Sequence, residues 1–172
     1  MQPDAEGDVL ARSLRAACAL DDLVERHRLD AGALNCHVPE LRFGDEVGIA
    51  PCFALGRQTS RGIPWTCTGD VVTAVAMLTL KRLGGAAQYH ELESLDYETG
   101  ELVVADGELT RSRWPGVGTA HGGFRFSSGP VVEAWKRWCL AGASHHSAAT
   151  PGRYSEDVES VARFLGVEAV GV

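Results

Sequence analysis

The chain has 172 residues, of which 45% are hydrophobic and 23% charged, a composition typical of a soluble globular protein large enough to bury a real core. A formal net charge of −7 and a pI near 5.3 argue against a nucleic-acid-binding surface, and no apolar run approaches the length of a membrane span. Five cysteines without a CxxC pair, in a chain with no secretory leader, predict reduced thiols and a cytoplasmic location.

The first 85 residues predict helices and strands in alternation. In chain order these are an amphipathic helix over 7–29, a short strand over 33–37, a loop over 40–49, a helix over 51–60, a strand over 63–67 and a helix over 71–83. This order is typical of a layered α/β domain with parallel strands.

Residues 86–172 predict a different arrangement of secondary structure, namely a reduced antiparallel β-rich part followed by C-terminal helices. The elements are strands over 89–95, 101–105 and 123–126, a helix over 130–140 and a last helix that Ser155 caps, with Val158, Val161, Ala162 and Leu165 facing a core. We expect 1–85 and 86–172 to pack as one compact unit.

The junction at Thr68 and Asp70 is the most informative feature of the chain. Strand 63–67 ends there in a polar turn, and a helix that is apolar on nearly every face follows, which predicts a buried helix. Binding residues of α/β proteins collect at such junctions. Asp70 is therefore either an N-cap of the helix or a residue that holds a ligand or a metal.

A pair of histidines, His145 and His146, stands in a Gly/Ala/Ser-rich stretch that we expect to be a loop between two helices. Neutral imidazole is a frequent metal ligand. The alternative is a structural pair, with one ring packed and the other bonded to the backbone.

Read together, these motifs resemble the C-terminal part of the L-fucose/L-arabinose isomerase family, with a shortened barrel region. The resemblance depends on motifs in collinear order over most of the chain. They are Ala-Leu-Asn-Cys36, Gly-Ile-Ala-Pro-Cys52, Arg61-Gly-Ile-Pro, Thr-Gly-Asp70 with Val-Val-Thr-Ala-Val-Ala-Met77, Glu133-Ala-Trp, Ala-Gly-Ala-Ser-His-His146 and Phe-Leu-Gly-Val167.

This resemblance implies an aldose–ketose isomerase that acts on a small sugar through an enediol, with Mn²⁺ or another divalent metal such as Mg²⁺. It places Glu46 at the first acidic position, as metal ligand and proton-transfer residue, and Asp70 at the second acidic position. His145 matches the metal-binding imidazole, and the neighbouring His146 is the alternative. The candidates for contacting the sugar are His146, Thr68 and Arg125, the last of which could equally point to solvent.

Three departures from the family pattern limit what the resemblance implies. Thr68 stands where arabinose isomerases have a glutamate, and threonine cannot shuttle a proton at neutral pH. Most of the barrel and the large upstream regions have no counterpart, so we expect a homo-oligomer or a partner chain to complete the pocket. The alternative is a catalytically inactive remnant that binds a carbohydrate or another subunit.

Overall fold

The computed structural model describes residues 3–95, 102–105, 123–126, 133, 136–137, 140, 146–150 and 152–169. The helices with defined bounds are α1 (Pro3–His27), α2 (Pro39–Arg42), α3 (Cys52–Ser60), α4 (Val71–Gly84) and α5 (Ser155–Leu165). The strands are β1 (Gly32–Ala33), β2 (Trp65–Thr66), β3 (Gln88–Leu95), β4 (Leu102–Ala105), β5 (Gly123–Phe126) and β6 (His146–Ala149). The predicted α/β class is confirmed.

The first sheet is a short parallel pair, β1 beside β2, with α3 and α4 packed against it. Gly32 lies opposite Trp65, and a Cβ atom at Gly32 would come within 2.6 Å of the indole ring, so only glycine fits there. Both strands are shorter than predicted. The side chain of Asn35 accepts a hydrogen bond from the backbone of His37 (3.0 Å), which turns the chain and ends β1 early.

The second sheet is antiparallel and has the order β5-β4-β3-β6. Its first three strands in chain order agree with the prediction. The prediction of a loop at His146 is wrong. This residue begins β6 and pairs with Glu91 of β3. The sequence His-Ser-Ala-Ala carries no alternating pattern, so the strand forms because the edge of β3 supplies its hydrogen-bond partners.

Helix α4 is only half buried, which corrects the predicted buried helix. Thr73 and Met77 lie on its inner side, whereas Val71, Val72 and Val75 are exposed, Val72 by 81%. An apolar helix face left in contact with water is unusual and indicates a surface on which something else can pack.

Other local predictions also need correction. Residues 39–42 form the short helix α2 instead of loop, with Pro39 at its first turn. The N-cap of α5 is Tyr154, not Ser155, and its side chain makes no capping hydrogen bond. Leu165 is exposed and does not face the core.

The core lies between the parallel pair, α1, α3, α4 and the start of β3. Leu55, Met77 and Tyr89 are completely buried in it, and α1 contributes Ala17, Leu20 and Val24. Cys36 and Cys67 are buried among these residues. Within the described residues, no helix is both long and apolar enough to cross a membrane.

Helices α1 and α3 are joined by one carboxylate, that of Asp21. It accepts hydrogen bonds from Arg57 (2.6 and 2.5 Å), from Arg61 (2.8 Å) and from the amide of Gln58. Hydrogen bonding from Arg57 lowers the pKa of Asp21 below its ordinary value of 3.8, although burial acts in the opposite direction. The ionised carboxylate therefore stabilises the packing of the two helices.

We predict that Asp21→Asn lowers the free energy of unfolding by roughly 1–2 kcal/mol at neutral pH, because the variant keeps the shape but loses the charge that these donors face. A lowered pKa gives stability that is present above pH 3.8 and lost as the pH falls through the folded-state value. The difference in the free energy of unfolding between variant and wild type should therefore be smaller at acidic pH. Urea unfolding at pH 7 and pH 3 measures it. Asp22→Asn, a change at the exposed neighbour, is the control and should have little effect at either pH.

Candidate functional site

A tight turn at the end of β2 builds the candidate site. Thr68 and Gly69 both have left-handed backbone conformations, with φ of 60° and 78°. Two such residues in succession reverse the chain sharply and bring Asp70 to the first turn of α4. The hydroxyl of Thr66 donates a hydrogen bond to the backbone carbonyl of Asp70 (2.8 Å) and holds the turn closed.

The carboxylate of Asp70 caps α4 and also binds His146. Its Oδ1 accepts from the backbone N–H of Thr73 (2.9 Å), and its Oδ2 accepts from the Thr73 hydroxyl (2.7 Å) and lies 2.7 Å from Nδ1 of His146. Burial acts to raise the pKa of Asp70, but the bonds from Thr73 and His146 outweigh it and lower the pKa below 3.8. The N-cap interpretation is confirmed, and the contact with His146 adds a second role.

The imidazole of His146 occupies the centre of the site. The ionised Asp70 accepts a hydrogen bond from the N–H at Nδ1 of His146. In the neutral ring the other nitrogen, Nε2, therefore carries the lone pair. Nε2 lies 3.4 Å from the Thr68 hydroxyl, and the ring packs against Tyr89 with centroids 5.4 Å apart. The side chain is 11% exposed, so it is shielded from bulk water but can be reached.

Two functional candidates, Tyr89 and Glu91, were missed by the sequence reasoning. The Tyr89 hydroxyl donates to Oε1 of Glu91 (2.6 Å), and the same oxygen lies 3.8 Å from Nε2 of His146. Side chains two residues apart on a strand point to the same face. The available signal was their two-residue spacing in the predicted strand. This spacing places both side chains on one face of the strand, but it does not reveal which element that face contacts.

The predicted site residues divide into three groups. Thr68, Asp70 and His146 come together at the end of β2. Glu46 is exposed in the loop between α2 and α3, and none of the described hydrogen bonds or ion pairs of Asp70 reaches it. The backbone of Arg125 pairs with Val103 in the second sheet, and its side chain lies outside the described part, as does His145.

The described side chains do not make a metal centre by themselves. No three His, Cys, Asp or Glu residues within the described ranges come close enough together to hold an ion. Both oxygens of Asp70 are engaged by Thr73 and His146. The set of Glu46, Asp70 and His145 therefore stays a prediction.

The site is an acid–base cluster in which a carboxylate holds an imidazole that faces a second carboxylate.

Comparison with known proteins concerns the sequence of the chain. No protein-family model matches the chain. Over 82 residues, however, it is 33% identical to sulfoquinovose isomerase from Priestia aryabhattai and, to the same extent, to that from Priestia megaterium.

This similarity covers 46% of the chain, and the matched stretch is 18% of the length of either relative. The chain thus spans only a small part of the proteins it matches. The similarity supports a relationship to sugar isomerases at a coarse level, and it does not specify the fucose or arabinose branch.

Substitutions at Asp70 should separate its two structural roles. We predict that Asp70→Ala lowers the free energy of unfolding by about 2 kcal/mol, because α4 loses its cap and His146 its partner. Asp70→Asn should cost about half as much, since asparagine also caps helices well. Thermal and urea unfolding measure both values. Equal losses in the two variants would contradict a capping role. The control is Asp30→Asn, at an exposed ion pair with Arg82.

Proposed function

We propose that this chain is a sugar isomerase-type domain that interconverts an aldose and a ketose, and that the cluster around Asp70 and His146 is its reactive centre. The observation that carries the proposal is the 2.7 Å contact between these two side chains at the end of β2. The similarity to sulfoquinovose isomerases supports the same reaction class.

The reaction requires two proton movements and no change in composition. One proton passes between adjacent carbons, and another passes between the two oxygens they carry. An imidazole held by an ionised carboxylate suits the second movement. Nε2 of His146 accepts the hydroxyl proton and returns it to the neighbouring oxygen, while Asp70 stabilises the transient imidazolium and fixes the ring.

The other assignments that the resemblance implies belong to the same proposal. They are Glu46 as a proton-transfer residue, Asp70 as a catalytic carboxylate that acts through His146, and Thr68 and Arg125 as contacts to the sugar. Glu46, Asp70 and His145 are the proposed ligands of Mn²⁺ or Mg²⁺. Hard oxygen ligands with one imidazole suit these ions better than a thiolate site would.

The activity test uses three sugars that the similarities suggest, namely sulfoquinovose, L-fucose and L-arabinose, with Mn²⁺ in the buffer. We expect the purified chain to interconvert at least one aldose and its ketose, detected by proton NMR. His146→Ala should reduce kcat by about 100-fold or more, the usual contribution of a general acid–base group.

His27→Ala is the matched control for this experiment, because His27 is an exposed histidine at the end of α1 and should not affect turnover. A folded wild-type chain that converts none of the three sugars would contradict the proposed function. Unchanged turnover in His146→Ala would remove His146 from the mechanism.

The metal assignment has its own test, a calorimetric titration with Mn²⁺ alone. We expect the wild-type chain to bind one ion and His145→Ala to bind at least about tenfold more weakly, since loss of one ligand or its support has effects of this size. Asp70→Asn should weaken binding as well. Equal Mn²⁺ affinity in wild type and both variants would show that these residues are not ligands.

A second candidate function is supported by the exposed face of α4. Val71, Val72 and Val75 lie next to Asp70 and are 64%, 81% and 54% exposed. This face suits a domain that binds another subunit, either a second copy or a partner chain, whether or not it has kept activity. The sugar assay separates the candidates, because a remnant that only binds would fold well and show no turnover.

A further inference from the structure

A second carboxylate faces His146 from the side opposite Asp70. Asp70 meets Nδ1 of the ring at 2.7 Å, and Oε1 of Glu91 lies 3.8 Å from Nε2. The imidazole thus lies between two carboxylates that come from different elements, the start of α4 and the strand β3. Only the first of the two was expected from the sequence.

The hydroxyl of Tyr89 fixes the orientation of Glu91. It donates to Oε1 at 2.6 Å from a completely buried ring, and it also lies 3.4 Å from the Thr68 hydroxyl. Burial, together with the bond to Glu91, raises the pKa of Tyr89 well above its usual value, so the phenol keeps its proton and remains a donor. The thiol of Cys67 lies 3.8 Å from the same oxygen.

The two carboxylates differ in what they can still accept. Both oxygens of Asp70 are occupied by Thr73 and His146. Within the described residues, all the hydrogen bonds and ion pairs of the Glu91 carboxylate are made by Oε1. Its other oxygen, Oε2, makes none with these residues. The side chain of Glu91 is also the most exposed of the three side chains, at 22% against 15% for Asp70 and 11% for His146.

These contacts suit Glu91 to a role that Asp70 cannot easily fill. A base that removes a proton from carbon needs an oxygen that is held in place but not already used. Oε1 supplies the anchoring, and Oε2, which makes no hydrogen bond with the described residues, supplies the acceptor. Nε2 of His146 is close enough to Glu91 that one substrate can contact both groups.

We propose that Glu91, in place of Glu46, is the base that moves the carbon-bound proton in this isomerase centre, and that Tyr89 is its positioning residue. The inference rests on the proposed function. Glu91 takes the proton from the carbon next to the sugar carbonyl, and the electrons of that C–H bond form the double bond of an enediolate as the carbonyl oxygen gains a proton and the neighbouring oxygen keeps the negative charge.

The proton that the carbonyl oxygen gains comes from the neighbouring hydroxyl by way of His146. Glu91 then returns its own proton to the adjacent carbon, and the second oxygen becomes the carbonyl. Two protons have changed position, Glu91 and His146 end as they began, and no oxidant or other co-reactant is needed.

The experiment measures kcat, KM and hydrogen exchange for Glu91→Gln, with the sugar that the wild-type chain converts. We expect kcat to fall by about 100-fold or more while KM changes by less than about threefold, as for a group that acts mainly in the transition state. In deuterium oxide, incorporation of deuterium at the carbon next to the carbonyl should fall in parallel. Glu159→Gln, at an exposed position of α5, is the matched control.

Tyr89→Phe tests positioning, because it removes only the hydroxyl. We expect kcat of the folded fraction to fall by about tenfold with KM little changed, since the carboxylate remains but is held less firmly. A purely structural role would instead lower the unfolding midpoint and leave kcat of the folded fraction unaltered, which would overturn this part of the proposal.

The outcomes separate this inference from the function on which it rests. An active wild type with Glu91→Gln within about threefold of its kcat overturns the role of Glu91 and leaves the isomerase function standing. An inactive wild type overturns both. If Glu91→Gln does not fold, Glu91→Asp takes its place, because it keeps the charge and withdraws the oxygens by one methylene. A tenfold or larger loss of kcat then supports the proposal, and an unchanged kcat overturns it.

Discussion

The burial of the Asp70 carboxylate is the constraint on which the rest of the structure depends. A charged group 15% exposed is stable only where donors surround it, and Thr73 supplies two while His146 supplies a third. The first two fix the start of α4. The third comes from β6, so the same carboxylate joins the α/β part of the chain to the antiparallel sheet.

This junction also determines what lies beside it. Since His146 pairs with Glu91 in the ladder between β6 and β3, fixing its ring fixes the register that brings Tyr89 and Glu91 to the same place. A shift of one residue would put His146 on the face of the sheet opposite Tyr89 and Glu91. The polar cluster therefore depends on this sheet register.

Local chemistry made part of this predictable from the sequence. The run of apolar residues after Asp70 and the capping carboxylate identified α4 and its first residue. The strand β3 was also predicted, with a start one residue later than the structure shows. The strand at His146 could not be predicted, because His-Ser-Ala-Ala has no strand pattern and depends on the distant edge of β3. The exposed Val72 was missed for a similar reason, since a sequence shows that a helix face is apolar but not whether another element covers it.

The conformation of Thr68 argues that this centre is more than a helix cap. A β-branched residue at φ 60° costs roughly 1–2 kcal/mol that glycine would avoid, and Gly69 next to it shows that glycine is accepted in this turn. What threonine adds is a hydroxyl that donates to the Cys67 carbonyl (2.6 Å) and lies 3.4 Å from both His146 and Tyr89. Capping by Asp70 needs none of these contacts. The strained backbone of Thr68 thus places a hydroxyl beside an imidazole, a phenol and a carboxylate. Backbone strain of this kind is typical of a site that positions polar groups for a ligand.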